Sequence, residues 1–205
     1  MKRQFLGRLW KELKARGVKD SKALQPSVMS QFNSILKDNP IEQTSKAAKQ
    51  HQERAALMLA AYRVLETTID QDVLLNVLRT ALCAPNSSVI RNSTRALLFF
   101  SKDPMTTLVN YTKNRIPPIY GDVFEFSNEG SADHQFTMRI SSCFYHDFFR
   151  RNNAKELTPL FCTWDMNWIE PISAEKHGVI FRRNATLANG DDSCPFTFIR
   201  TTQAD

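Results

Sequence analysis

The chain has 205 residues, 42% of them apolar and 23% charged, with a formal net charge of +6. That length suits one domain or two tightly packed halves and is enough to bury a core. No window approaches the roughly eighteen uninterrupted apolar residues of a spanning helix, and the N-terminal apolar residues alternate with Lys and Arg instead of massing as a secretory signal does; no integral membrane segment is expected, and the cytosol is the expected compartment.

Residues 1–17 place Phe5, Leu6, Leu9, Trp10 and Leu13 at helical spacing, with basic residues on the other faces and Gly17 as a stop. A weaker helical stretch follows over 20–39, with Val28, Met29, Phe32, Ile35 and Leu36 on one side, and Asn39-Pro40 ends it. The strongest helix is predicted over about 44–67, capped by Thr44 or Ser45. Asp70 is the expected cap of a helix over 71–83, Ala84 to Ser87 a turn, and 88–101 another apolar helix. The texture then changes, with Pro104, Pro117, Pro118 and Gly121 close together. Period-two runs around Val123, Phe126, Phe136, Met138 and Ile140 fit strands, with a turn at Asn128 to Ser131 between them. Helices over about 142–153 and 156–168 precede two final strand-like runs, Gly178 to Arg183 and Cys194 to Arg200, joined by a loop around Asn189 to Asp192. The plan is α+β: a helical N-terminal half packed on a small antiparallel sheet with helices on one face. Residues 1–40 form a basic amphipathic pair of helices, 41–205 a single α+β domain, and 136–198 its core.

Basic charge is concentrated early. Residues 1–63 hold 13 Lys/Arg against 5 Asp/Glu, a surplus of 8 that leaves the remainder at −2. A membrane surface, an acidic partner or a solvated helix face would each fit, and the last is the expectation. No aromatic residues interleave there as a stacking platform, so no nucleic acid is expected. The apolar helices could cover the sheet or build a homodimer interface.

Of the four cysteines, Cys83, Cys143, Cys162 and Cys194, none stands in a CxxC or CxxH pair, and in a reducing compartment all are expected as thiols. Cys143 ends a strand and opens a helix, where the positive end of the helix dipole favours a thiolate, and His146 lies three residues on. Packing as a small hydrophobe is an equally good account of it. Cys162 shares a helix face with Asp165 but sits between Phe161 and Trp164, which suits core. Cys194 begins the last strand. His51, His134 and His177 read as surface or packing residues. A metal site assembled from the three thiols with Asp165 or His146 is a weaker reading because of their wide spacing, and neither a metal nor another cofactor is expected. No GxSxG elbow, phosphate-cradling glycine loop or HExxH is present.

The second half contains Cys143-Phe-Tyr-His146, then Glu156-Leu-Thr-Pro-Leu-Phe-Cys162-Thr-Trp-Asp165, then Thr186-Leu-Ala-Asn-Gly190-Asp-Asp-Ser-Cys194-Pro-Phe196. This ordered C…ELxPxFCxxD…TLAxGxxxCxF pattern resembles the L-2-amino-thiazoline-4-carboxylic acid hydrolase family. The likeness is close over about 136–198 and looser along Lys49 to Leu65; the terminal GxxxCxF piece also resembles the 4-vinyl reductase domain, a small-molecule-binding module. The resemblance implies hydrolytic opening of a 2-aminothiazoline ring to N-carbamoyl-cysteine. Either Cys143 or Cys162 would attack with Asp165 as base or orienter, or Asp165 would activate water. Cys194, Gly190 and Phe196 would line the pocket, with His146 near Cys143, and Arg183 or Arg182 would take the substrate carboxylate. The alternative is a binding, sensing or natural-product protein, a cyclase or isomerase, using the same pocket without hydrolysis.

Overall fold

A computed structural model describes residues 2–18, 20–42, 45–83 and 87–201. The helical half comprises α1 (Lys2–Ala15), α2 (Gln25–Asp38), α3 (Lys46–Leu65), α4 (Gln71–Cys83), α5 (Ser87–Phe99) and α6 (Pro104–Tyr120). After it come β1 (Phe124–Gly130), β2 (Gln135–Cys143), α7 (Phe144–Arg151), α8 (Thr158–Asp165), α9 (Ala174–His177), β3 (Val179–Arg182) and β4 (Cys194–Arg200). Thr44 and the turn residues Ala84 to Asn86 lie outside the described residues, whereas Ser45 does cap α3, its hydroxyl accepting from the Ala48 amide at 3.1 Å. Asp70 caps α4 as expected, its side chain accepting from the Asp72 and Val73 amides.

The sheet is wholly antiparallel in the order β1-β2-β4-β3. Phe136, Met138, Ile140, Phe196 and Phe198 are all buried on the helix-covered face, while Thr137 and Thr197 join hydroxyls at 3.0 Å on the other. The core therefore follows from period-two patterning on one side and a buried helix wall on the other. α6 packs on β4, α7 on β2, α3 on α2 and α7, and α4 on α1 and α8. Phe5, Leu9, Trp10 and Leu13 belong to the same buried cluster as Phe136. The basic first helix thus turns its apolar stripe into the core, and Arg3, Lys11 and Lys14 outward.

One element is added and one expectation corrected. The stretch around the prolines, to which the sequence pattern assigns no element, is a 17-residue helix, α6. Pro104 occupies its first turn, where no amide bond is lost, and Pro117 and Pro118 fall in its last turn. Asp103 caps it, accepting from the Thr106 amide at 3.1 Å, and is tied to Arg200 at 2.9 Å. The first hairpin also turns later than expected. Asn128 to Gly130 remain paired in β1, and the turn falls over 131–134, where Ser131 donates its amide to the Gln135 carbonyl at 2.9 Å.

Candidate functional site

Helices and strands converge behind the sheet. α8 supplies Thr158, Phe161, Cys162 and Asp165; β2 ends in Cys143, the N-cap of α7, which carries Tyr145; α6 ends in Tyr120; β4 begins with Cys194 and carries Phe196; Arg183 follows β3. These side chains, with Phe124 and Ile140, enclose a cavity of about 20 Å³, room for roughly one water molecule. Thr158 is 2% exposed and its hydroxyl has no hydrogen-bond partner among the described residues. A buried hydroxyl without a partner is costly, and this one lines a space fit for a small polar guest.

Asp165 is half-buried as a residue, but its carboxyl faces inward from the last turn of α8. Tyr120 donates its hydroxyl to Asp165 Oδ1 at 3.3 Å. Burial pushes the carboxyl up to about 6, and the Arg183 charge and the Tyr120 bond only partly offset it. It is therefore mostly ionised at neutral pH yet basic enough to accept a proton. Arg183 donates from Nη2 to the Cys162 carbonyl at 3.1 Å and lies over the Phe196 ring at 5.2 Å.

The thiols behave in the opposite way to what the helix terminus suggested. Burial drives Cys143 up to about 12; the amides of His146 and Tyr145 oppose the shift, while Asp165 and Cys162 add to it. Desolvation outweighs the dipole of a helix only eight residues long. Cys162 also reaches about 12, raised by burial and then by Asp165. Cys194 is raised by burial although the Leu187 amide donates to its sulfur at 3.2 Å. All four cysteines are free thiols.

Of the side chains singled out from sequence, Cys143, Cys162, Asp165, Cys194, Arg183 and Phe196 share this cavity. Three do not. His146 contributes its backbone amide to Cys143, and its imidazole is not part of the lining. Arg182 points to solvent, because strand alternation sends it to the face opposite its neighbour. Gly190 turns the loop before β4 with φ +93°, letting the Asp191 side chain accept from the Thr186 amide at 2.8 Å. Among the described residues no group of three His, Cys, Asp or Glu side chains is placed to hold a metal ion.

Sequence reasoning missed Tyr120, Tyr145 and Thr158. It read His51 as a surface or packing residue; the structure buries it, 2% exposed, with a partner that the sequence did not indicate. His51 Nε2 lies 3.0 Å from the Ile119 carbonyl, which can only accept, so this nitrogen carries the proton. Nδ1 then accepts from the Tyr145 hydroxyl at 2.8 Å. Burial holds His51 down at about 4, and the nearby Arg54 charge lowers it further. With its proton committed to His51, the Tyr145 oxygen also accepts from the Arg54 side chain, so the phenol is held from both sides. Tyr145 stacks on Phe161 at 3.9 Å between ring centroids, which fixes the ring.

Below the cavity mouth lies a solvent-facing cleft of about 400 Å³, which Cys162 and Arg183 also line.

A family model described as L-2-amino-thiazoline-4-carboxylic acid hydrolase matches residues 49–198. The matched span takes in α3 from Lys49 onward as well as every cavity side chain. No curated protein matches. Among solved structures, an H-NOX protein from K. algicida (Fe(II), unliganded) aligns at 15% identity with a TM-score of 0.36, covering 98% of this chain and 97% of that one. One from S. oneidensis aligns at 15% identity and 0.32, covering 96% and 99%. At such scores the likeness carries no argument about the site.

Proposed function

The chain belongs to the L-2-amino-thiazoline-4-carboxylic acid hydrolase family, and from that premise we propose that it is a hydrolase opening a small sulfur–nitrogen ring such as 2-aminothiazoline-4-carboxylate to N-carbamoyl-cysteine. The observation that carries this reading is the buried Asp165 carboxyl, raised to about 6, beside the unpartnered Thr158 hydroxyl in a cavity of one-water size.

Asp165 takes a proton from water as the water oxygen bonds to the amidine-like carbon between nitrogen and sulfur. The second proton of the water passes from the new hydroxyl to the ring nitrogen as the carbonyl forms, the carbon–sulfur bond of the ring breaks, and the departing thiolate takes the proton held by Asp165. A carboxylic acid with a pKa of about 6 can protonate a thiolate whose ordinary pKa is about 8.5. Water is thus consumed and one thiol and one urea-type group appear. Arg183, half-buried at the mouth, pairs with the ring carboxylate. Thr158 orients the water. Cys143 and Cys162, held near 12, carry almost no thiolate at neutral pH, and Cys162, which also faces the cleft, gives a soft, neutral wall for the ring sulfur. The thiol route is the less favoured on this electrostatics.

Product release of a free thiol gives a direct assay with 2-aminothiazoline-4-carboxylate. Asp165→Asn should lose about 10² to 10⁴-fold in kcat, while Cys143→Ala and Cys162→Ala each retain measurable turnover. Complete loss in a cysteine variant, with a covalent adduct trapped by mass spectrometry in the parent protein, would transfer the attack from water to that thiol. No thiol release from the parent protein would remove this substrate.

A further inference from the structure

Cys162 and Arg183 face two spaces of very different size, the 20 Å³ cavity and the 400 Å³ cleft. The cleft lies in the range that holds drug-sized ligands, well beyond what one five-membered ring with a carboxylate fills. Its lining is graded. Arg183 supplies positive charge at the end next to the cavity, Pro159 and Met166 give apolar contact, Thr163 and Asn189 offer hydrogen bonds, and Glu170 supplies a carboxylate. Glu170 pairs with Arg91 at 2.7 Å, with side chains 49% and 36% exposed. Glu170 meets Arg91 through Oε2, and its half-exposed carboxylate has a second oxygen with which to serve a cationic or N–H partner.

A ring whose carboxylate meets Arg183 and whose reacting carbon points at Asp165 leaves its exocyclic nitrogen as the place from which a substituent can run outward. Resting on the hydrolase reading above, we propose that the ring lies at the Arg183 end of the cleft, over the one-water cavity, and that the rest of the cleft is a second subsite. It takes a substituent on that nitrogen ending in an ammonium or amide group, so the substrate class is N-substituted 2-aminothiazoline-4-carboxylates. The chemistry is unchanged: water adds at the same carbon, the same carbon–sulfur bond breaks, and the product is an N-substituted carbamoyl-cysteine with a free thiol.

The test compares 2-aminothiazoline-4-carboxylate with its 2-(2-aminoethylamino) analogue, by thiol release and by calorimetry. The analogue should show kcat/KM higher and Kd lower by about tenfold or more, the size expected of one hydrogen bond to a charged group. Glu170→Gln should bring both ratios to within about threefold of one. Ala188→Trp, which fills the cleft with a neutral ring, should do the same. Equal or weaker binding of the analogue by the parent protein overturns the subsite, as does an advantage that survives both substitutions. If neither compound is opened but the analogue still binds about tenfold tighter, the subsite stands and the hydrolase reading falls. If neither binds, the subsite falls too.

Discussion

On the proposed mechanism, Asp165 is worth more to chemistry than to stability. Its folded pKa of about 6 stands above the ordinary 3.8. The preference of the fold for the protonated form is therefore fully expressed below about 3.8 and is lost as pH rises through about 6. The difference is at most about 3 kcal/mol. Asp165→Asn keeps an oxygen to accept from Tyr120 and sheds the charge. Thermal unfolding at pH 8 should show the variant more stable than the parent protein, with the advantage shrinking to nothing near pH 4. Turnover should show the reverse preference: kcat/KM in the parent protein rises with pH through about 6 as the base ionises. A pH profile flat across 5 to 7 would exclude Asp165 as that base. Its neighbour Tyr145 is tied to His51 at 2.8 Å and to Arg54, and Tyr145→Phe removes both bonds while keeping the ring stack on Phe161. Urea unfolding should show stability down by about 1 to 2 kcal/mol, because the buried His51 Nδ1 loses its partner.

At the scale of elements, the end of α6 decides where the site lies. Gly121 follows it at φ +67°, and a Cβ there would meet the Ala47 Cβ of α3 at 2.7 Å. Both the left-handed backbone and the near-contact demand glycine. Gly121→Ala should cost about 2 to 4 kcal/mol in urea unfolding, and it should also weaken turnover, because it shifts the adjacent Tyr120 from Asp165. A stability loss with kinetics intact would mean that Tyr120 is not held in place this way. The same helix explains what the sequence concealed. Period-two runs marked the strands, and Cys143, Cys162, Asp165 and Cys194 stood out because each is a reactive type at the end of an element or on a shared helix face. Tyr120 gave no such signal. It lies beyond two prolines that interrupt a helical pattern by rule, and only their place in the last turn makes them compatible with a helix. His51 was hidden differently: its partner Tyr145 is 94 residues away, a pairing that no local spacing records. The thiol pKa values were hidden because a terminus is visible in sequence and desolvation is not.

Across the whole molecule, two buried groups pull stability in opposite directions over one pH range. His51 is held at about 4 against an ordinary 6.5, so its contribution is present above 6.5 and is lost as pH falls towards 4. Asp165 gains over nearly the same interval, from about 6 down to 3.8. Each swing is about 3 kcal/mol at most, and they nearly cancel. Asp103, lowered to about 2 mainly by Arg200, adds its own acid sensitivity only below about 4. The parent protein should therefore show little change in urea midpoint between pH 7 and pH 4.5 from this pair. Asp165→Asn removes one side of the balance and should become steadily less stable on acidification. His51→Gln removes the other: its amide can still accept from Tyr145 and donate to the Ile119 carbonyl, and the variant should gain stability as pH falls. Identical slopes in the two variants would mean that neither group is buried as strongly as its position between the helices and the sheet requires, and the one-water cavity would then be open to solvent.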